Sequence, residues 1–239
     1  MTLKVGTYVA IILLILLLGC KNNTSEPPKS NVKAAIQQDT VVSDPPGSTE
    51  EEREPEFVLT EENAIDFFFN YHKTVTENKV KLTTNLGSFT LELFDNVPYH
   101  KSNFIYLTKK GYFNNTLFHR VVKDFIIQGG NADTKEVGKK RAQIGHYLLP
   151  PDTRKGHRHH RGTISMPSSE IDNPHMLASP YEFFIVVTQP GSYHLDGEYT
   201  PFGKVIDGMD VVDLINQQPV DKGDWPSQNI YILNAEVIE

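Results

Sequence analysis

A chain of 239 residues has room for one sizeable domain with additional segments, and 38% hydrophobic with 22% charged residues is the balance of a globular protein with a real core. The formal net charge of -7 argues against a nucleic-acid surface, because phosphate binding needs clustered Lys and Arg. The single cysteine, Cys20, excludes an intrachain disulfide, so the fold must hold by packing alone.

In chain order, Lys4 precedes the apolar run "YVAIILLILLLGC", which is too short for the roughly 20 apolar residues of a membrane-spanning helix and reads as a secretory signal. Its end, "LLGC", resembles the lipobox of bacterial lipoproteins. That resemblance implies a signal peptide over residues 1–19, with lipid attached to the Cys20 sulfur at the new N-terminus. An uncleaved anchor helix is the alternative. Either places the chain at the cell envelope, facing the periplasm or the outer surface. Residues 20–56, with "SEPPKS", "DPPGS" and "EEEREPE", carry too little apolar surface to offset the entropy of ordering and are expected to be a disordered linker. Residues 57–78 are expected to form a helical extension, with Thr60 as N-cap and Ile65, Phe68 and Phe69 on one face.

From residue 79 to 239 the pattern is mainly β. "KVKLTTNLGSFTLELF" alternates on both sides of Asn85-Leu86-Gly87, a hairpin with Phe89, Leu91 and Leu93 facing inward. "NVPYHKSNFIYLTKKGY" predicts a helix with Asn96 as N-cap, Pro98 in the first turn and Gly111 beyond the end. Further strands are predicted at "LFHRVV", "FIIQGG", "GTISM", "EFFIVV", "PFGKVI" and "NIYILNAEVIE". "GMDVVDLINQ" predicts a second helix aligned on Met209, Val212 and Ile215. Many strands with two helices point to a barrel capped at its ends.

"FHRVVKDFIIQGG", Phe118 to Gly130, resembles the cyclophilin signature. "NFIYL" before it, then "GTISM", "EFFIV" and "LDGEYTPFGKVIDGMDVVD" after it, stand in that family's order. The resemblance implies a closed eight-stranded antiparallel barrel with a helix at each end, and peptidyl-prolyl cis/trans isomerase activity. It further implies Arg120 as the catalytic donor and Gln128 as a carbonyl-orienting group. Phe125, Ile126 and Phe184 would wall a slot for the proline ring, Leu195 would close one side, and Ser168, His194 and Tyr199 would complete the substrate surface. The chain departs from the family's usual residues at Ile126 (Met), Tyr199 (His), His194 (often Trp) and Glu182 (Gln). Pro167, Ser168 and Ser169 replace an Ala-Asn-Ala type stretch in a longer loop, and Pro167 removes a backbone donor.

The chemistry makes these residue types intelligible. Amide resonance holds an X-Pro bond planar behind a barrier of about 18–20 kcal/mol, and no bond needs to break to cross it. In the twisted state the proline nitrogen regains a basic lone pair, to which a guanidinium can donate. Each residue taken alone has an ordinary reading, the phenylalanines as barrel core and Arg120 as a surface charge; only their combination points to catalysis. The expected partners are proline-containing polypeptides and, through the lipid anchor, a membrane. Neither nucleic acid, cofactor nor metal is expected, and the chain is expected to be a monomer. Two other functions remain open: a proline-peptide binding module with weak catalysis, and a metal-handling lipoprotein using His157, His159 and His160 of "KGHRHHRG".

Overall fold

The structure, a computed structural model, describes residues 57–168 and 172–238. The signal peptide, lipid attachment at Cys20 and linker expected over residues 1–56 lie outside the described residues, as does Ser169.

Eight strands close into a barrel: β1 (Lys79–Thr84), β2 (Gly87–Leu93), β3 (Thr116–Val122), β4 (Ile126–Asn131), β5 (Thr163–Ser165), β6 (Phe183–Val186), β7 (Pro201–Asp207) and β8 (Tyr231–Val237). The order around the barrel is β1-β2-β7-β5-β6-β4-β3-β8, and each neighbouring pair is antiparallel. Period-two alternation decides what fills it. Val80 and Leu82 of β1 and Phe89, Leu91 and Leu93 of β2 are buried, joined by Phe118 and Phe183, whose rings meet edge to face at 5.8 Å. Closure leaves no free sheet edge, which suits a chain without disulfides.

Among the described residues four α-helices surround the barrel: α1 (Ala64–His72), α2 (Pro98–Lys109), α3 (Lys135–Ile144) and α4 (Met209–Asn216). In α2, Pro98 occupies the first turn, where its missing N–H costs nothing, and Phe104 and Leu107 are buried. The N-cap position belongs to Val97 and not to Asn96, whose side chain instead contacts the Lys155 carbonyl and His157. In α4, Val212 and Ile215 pack inward as the sequence predicts. Asn216 at its end donates to the carbonyls of Val122 (2.9 Å) and Ile126 (3.2 Å) and accepts from the Asp124 amide (2.8 Å). Those three bonds fix the turn between β3 and β4.

The sequence predicts two capping helices; α3 is an addition. It buries only Val137 and Ile144, so it lacks the apolar stripe that would announce it. Polar contacts hold it instead. Thr134 caps its start by accepting from the Val137 amide, and Lys140 reaches the carbonyls of Gly111 and Asn114, each at 2.9 Å, beyond the end of α2.

The helix of the N-terminal extension begins later and faces differently than expected. Helix α1 starts at Ala64, with Asn63 at its N-cap; a preceding turn is closed by the Thr60 carbonyl, which accepts from the Ala64 amide, and by the Asn63 side chain, which accepts from the Thr60 amide. Phe68 is buried, but Ile65 (45% exposed) and Phe69 (51%) face solvent. Phe67 and Tyr71 take their place, because Tyr106 of α2 offers its ring to them at 5.2 and 5.7 Å in edge-to-face geometry. Leu59 exchanges backbone hydrogen bonds with Ile144 and His146, and Gly145, at φ +133°, lies so close that a β-carbon there would collide with the Leu59 carbonyl. Leu59, Ala64 and Phe68 thereby belong to the same core as the barrel.

Candidate active site

Strand register assembles the site. Arg120 on β3 stands opposite Gln128 on β4, Gln128 stands opposite Phe184 on β6, and Phe184 stands opposite Ser165 on β5. Phe183 points into the barrel, so Phe184 points out of it. Ile126, Phe184 and Val186 form a small buried cluster of their own, against which Phe125, Leu195 and Tyr199 pack. It is an apolar slot built on the outer wall of the barrel. Next to it the paired glycines of "QGG" let strands approach: a β-carbon on Gly129 would sit 2.9 Å from the Phe118 ring, and Gly130, at φ +98°, would meet the Tyr181 carbonyl at 2.5 Å.

The slot opens into a cavity of about 510 Å³ lined by Arg120, Phe125, Ile126, Gln128, Ser168, Phe184, Leu195 and Tyr199, all singled out in the sequence. His194 is absent from this lining. It lies exposed and stacks on Phe125, with centroids 5.4 Å apart. The Phe184 and Tyr199 rings meet edge to face at 5.5 Å.

Arg120 is half exposed, with Nη2 3.4 Å from Asp224 Oδ2. Gln128, which also lines the cavity, is more tightly held: its Nε2 donates to Glu182 Oε2 at 2.9 Å. Glu182 also accepts from Asn131 at 3.1 Å and lies 3.4 Å from His119 Nε2. Burial works against ionising Glu182, but the contacts from His119 and Gln128 and the charge of Arg141 outweigh it and hold the carboxyl below its ordinary range. The Gln-to-Glu departure therefore places a fixed anion behind Gln128.

Behind the other wall lies a polar chain that the sequence does not reveal. The fully buried His159 ring contacts Asp196 Oδ1 through Nδ1 and Ser165 Oγ through Nε2, each at 2.9 Å, and lies parallel to Phe184 at 6.2 Å. Since an ionised carboxylate only accepts, Nδ1 carries the proton and Nε2 accepts from the serine. Burial pulls the His159 pKa down, opposed by Asp196. One imidazole thus ties β5, beneath the slot, to the segment carrying Leu195.

The same geometry does not gather the three histidines of "KGHRHHRG" into one site. His157 stacks on Phe94 at 3.8 Å and meets Asn96, His160 meets the Tyr193 hydroxyl at 2.9 Å, and His159 is buried in its own chain. Adjacent in sequence, the three rings turn to three separate partners.

Three further residues line the cavity without having been singled out: Asn173, Met176 and Glu198. The first two belong to the longer loop, which folds back on itself where the Pro167 carbonyl accepts from the Ser179 amide and Ser168 pairs with Ala178. Glu198 sits between Leu195 and Tyr199, close enough in sequence to have been suspected.

Comparison with known proteins gives the family and the fold. Residues 79–237 match the family model for cyclophilin type peptidyl-prolyl cis-trans isomerase/CLD. The chain is 39% identical over 153 residues to peptidyl-prolyl cis-trans isomerase CYP18-1 of Arabidopsis thaliana, covering 63% of this chain and 90% of that one. It is 37% identical over 171 residues to peptidyl-prolyl cis-trans isomerase-like 2 of Rhizopus delemar, covering 71% of this chain but spanning only 30% of that protein's length. Among solved structures, a cyclophilin type peptidyl-prolyl cis-trans isomerase of Cryptosporidium parvum superposes with a TM-score of 0.58 at 30% identity, over 68% of this chain and 98% of the other. A second structure of that protein, obtained in the presence of the dipeptide Ala-Pro, gives 0.56.

Proposed function

We propose that this chain, which belongs to the cyclophilin-type peptidyl-prolyl cis-trans isomerase family, uses Arg120 and Gln128 to stabilise the twisted X-Pro bond while Phe125, Ile126, Phe184, Leu195 and Tyr199 hold the proline ring. The observation that carries this reading is the register: a guanidinium opposite an amide, both beside an apolar slot outside the core. Proline enters the slot by burying its ring. The preceding carbonyl then rotates, the nitrogen loses conjugation and turns pyramidal, and Arg120 donates to the lone pair that appears. Because that lone pair exists only in the twisted state, the bond lowers the barrier rather than tightening ground-state binding. Gln128, expected to orient a carbonyl, has its Nε2 engaged by Glu182 and instead offers Oε1 to a substrate N–H, and so fixes the neighbouring peptide unit. An acceleration of ~10⁵ needs roughly 7 kcal/mol, within reach of one charge-assisted bond in a partly dry site together with fixed orientation.

The finer part of the proposal is location. The lipobox-like "LLGC" supports a monomeric enzyme anchored through lipid on Cys20 at the cell envelope, acting on exported proteins. Pro167, which cannot donate at the edge of the cleft, favours the binding module as second reading.

Exchange NMR on one X-Pro peptide separates the two. Arg120→Lys keeps the charge but replaces a planar fork with a flexible, strongly hydrated ammonium, and should lose at least about tenfold in rate, or about 1.4 kcal/mol. Arg120→Ala should lose more, with folding unchanged by circular dichroism. A folded Ala variant as fast as wild type would remove Arg120 from catalysis and put the binding module first.

A further inference from the structure

Among the described residues, three carboxylates that neighbour residues of the cleft are engaged. Asp224 lies against Arg120, Glu182 is held by Gln128, Asn131 and His119, and Asp196 accepts from Arg158 and His159. Glu198 differs from them. It lines the cavity, is exposed, and among the described residues its carboxylate has neither an ion pair nor a hydrogen bond. Met176 shares with it both the main cavity and the small recess beside it, along with Tyr199. Met176 is 38% exposed at φ 52°, a left-handed conformation that a bulky side chain adopts only under constraint. The constraint is visible. Asn173 donates through Nδ2 to Ser168 Oγ and the Leu177 carbonyl, accepts from the Leu177 amide at Oδ1, and its own carbonyl accepts from the Met176 amide.

We propose that Glu198, Met176 and Tyr199 form a subsite for a basic side chain flanking the substrate's proline; the proposal rests on the isomerase reading above. A Lys or Arg side chain joins an apolar stem to a cationic head. The thioether of Met176 offers a surface for the stem, while the Glu198 carboxylate and the face of the Tyr199 ring suit the head. An acidic side chain would meet Glu198 with like charge. The cation that lines the cavity, Arg120, lies against Asp224 and is assigned to the proline nitrogen, so it offers no competing site for an acid.

The test is exchange NMR with X-Pro peptides carrying Lys, Ala or Glu in turn at each of the two positions on either side of the proline, at low and high salt. At one position Lys should exceed Ala by roughly threefold in kcat/KM and Glu should fall below Ala by a similar factor, both through KM and both shrinking with salt, as for a solvent-exposed pair. Glu198→Gln should bring the Lys peptide down to the Ala peptide, Glu198→Lys should reverse the order, and Met176→Ala should weaken the Lys peptide more than the Ala peptide. A wild type that turns over all the peptides equally, or a Glu198→Gln variant that keeps the Lys preference, overturns the subsite alone. A wild type that isomerises none of them overturns the reading beneath it, and the subsite with it.

Discussion

His100 gives the sharpest link between one buried atom pair and a bulk measurement. It lies in α2, fully buried, with its ring 6.0 Å from Phe202 and neither nitrogen hydrogen-bonded. Burial pushes its pKa from the ordinary 6.5 down to about 3. The unfolded chain therefore binds a proton between those values while the folded chain does not. Stability from this site is complete above about pH 6.5 and is lost as pH falls toward 3. At about 1.4 kcal/mol per pKa unit, the loss is about 2 kcal/mol at pH 5 and about 4 kcal/mol at pH 3. His100→Leu removes the titration and two unpaired polar atoms at once. It should leave stability at neutral pH equal or raised by about 1 kcal/mol, and should flatten the decline into acid. Urea unfolding of both proteins across this range measures the difference, in which the smaller contributions of His72, His157 and His159, each lowered chiefly by burial, cancel. Since His100 does not line the cleft, peptide isomerisation at neutral pH should not change. Equal acid slopes for wild type and variant would refute the reasoning, and would mean that His100 is protonated in the folded state or reaches water.

Two further outcomes are expected. Glu182→Ala removes the acceptor that holds Gln128 and Asn131, so the Gln128 amide becomes free to turn; kcat/KM in the exchange assay should fall roughly fivefold, about 1 kcal/mol, by loss of a charge-assisted hydrogen bond. An unchanged rate would show that the amide is held by something else. Cys20→Ser should abolish incorporation of labelled fatty acid in cells and release the protein from membranes or leave an uncleaved precursor, whereas equal labelling of the two proteins would end the lipid-anchor proposal.

What the sequence discloses and what it withholds follow from the range over which each feature is determined. Strand alternation is local, so the inward set Phe89, Leu91 and Leu93 is legible from "GSFTLEL", and Pro98 and Gly111 bracket α2 with equal clarity. Arg120, Phe125 and Gln128 are legible together because β3 and β4 are joined by a short turn, which places them face to face within thirteen residues. Helix α3 is held by Lys140 reaching carbonyls some thirty positions earlier, and no periodicity records such a bond. The face of α1 is chosen by Tyr106, not by the helix: a run of three phenylalanines presents an apolar stripe at several rotations, and the ring awaiting it decides between them. The same holds at the site. Phe184 is legible by resemblance, but the imidazole beneath it could have been any of three in "HRHHRG", and only the partner positions of Ser165 and Asp196 select His159. Residues that would touch the reacting proline are thus readable because chemistry restricts their type. Those that hold them in place are chosen by what lies across the fold, as Glu182 is by Gln128, Asn131 and His119.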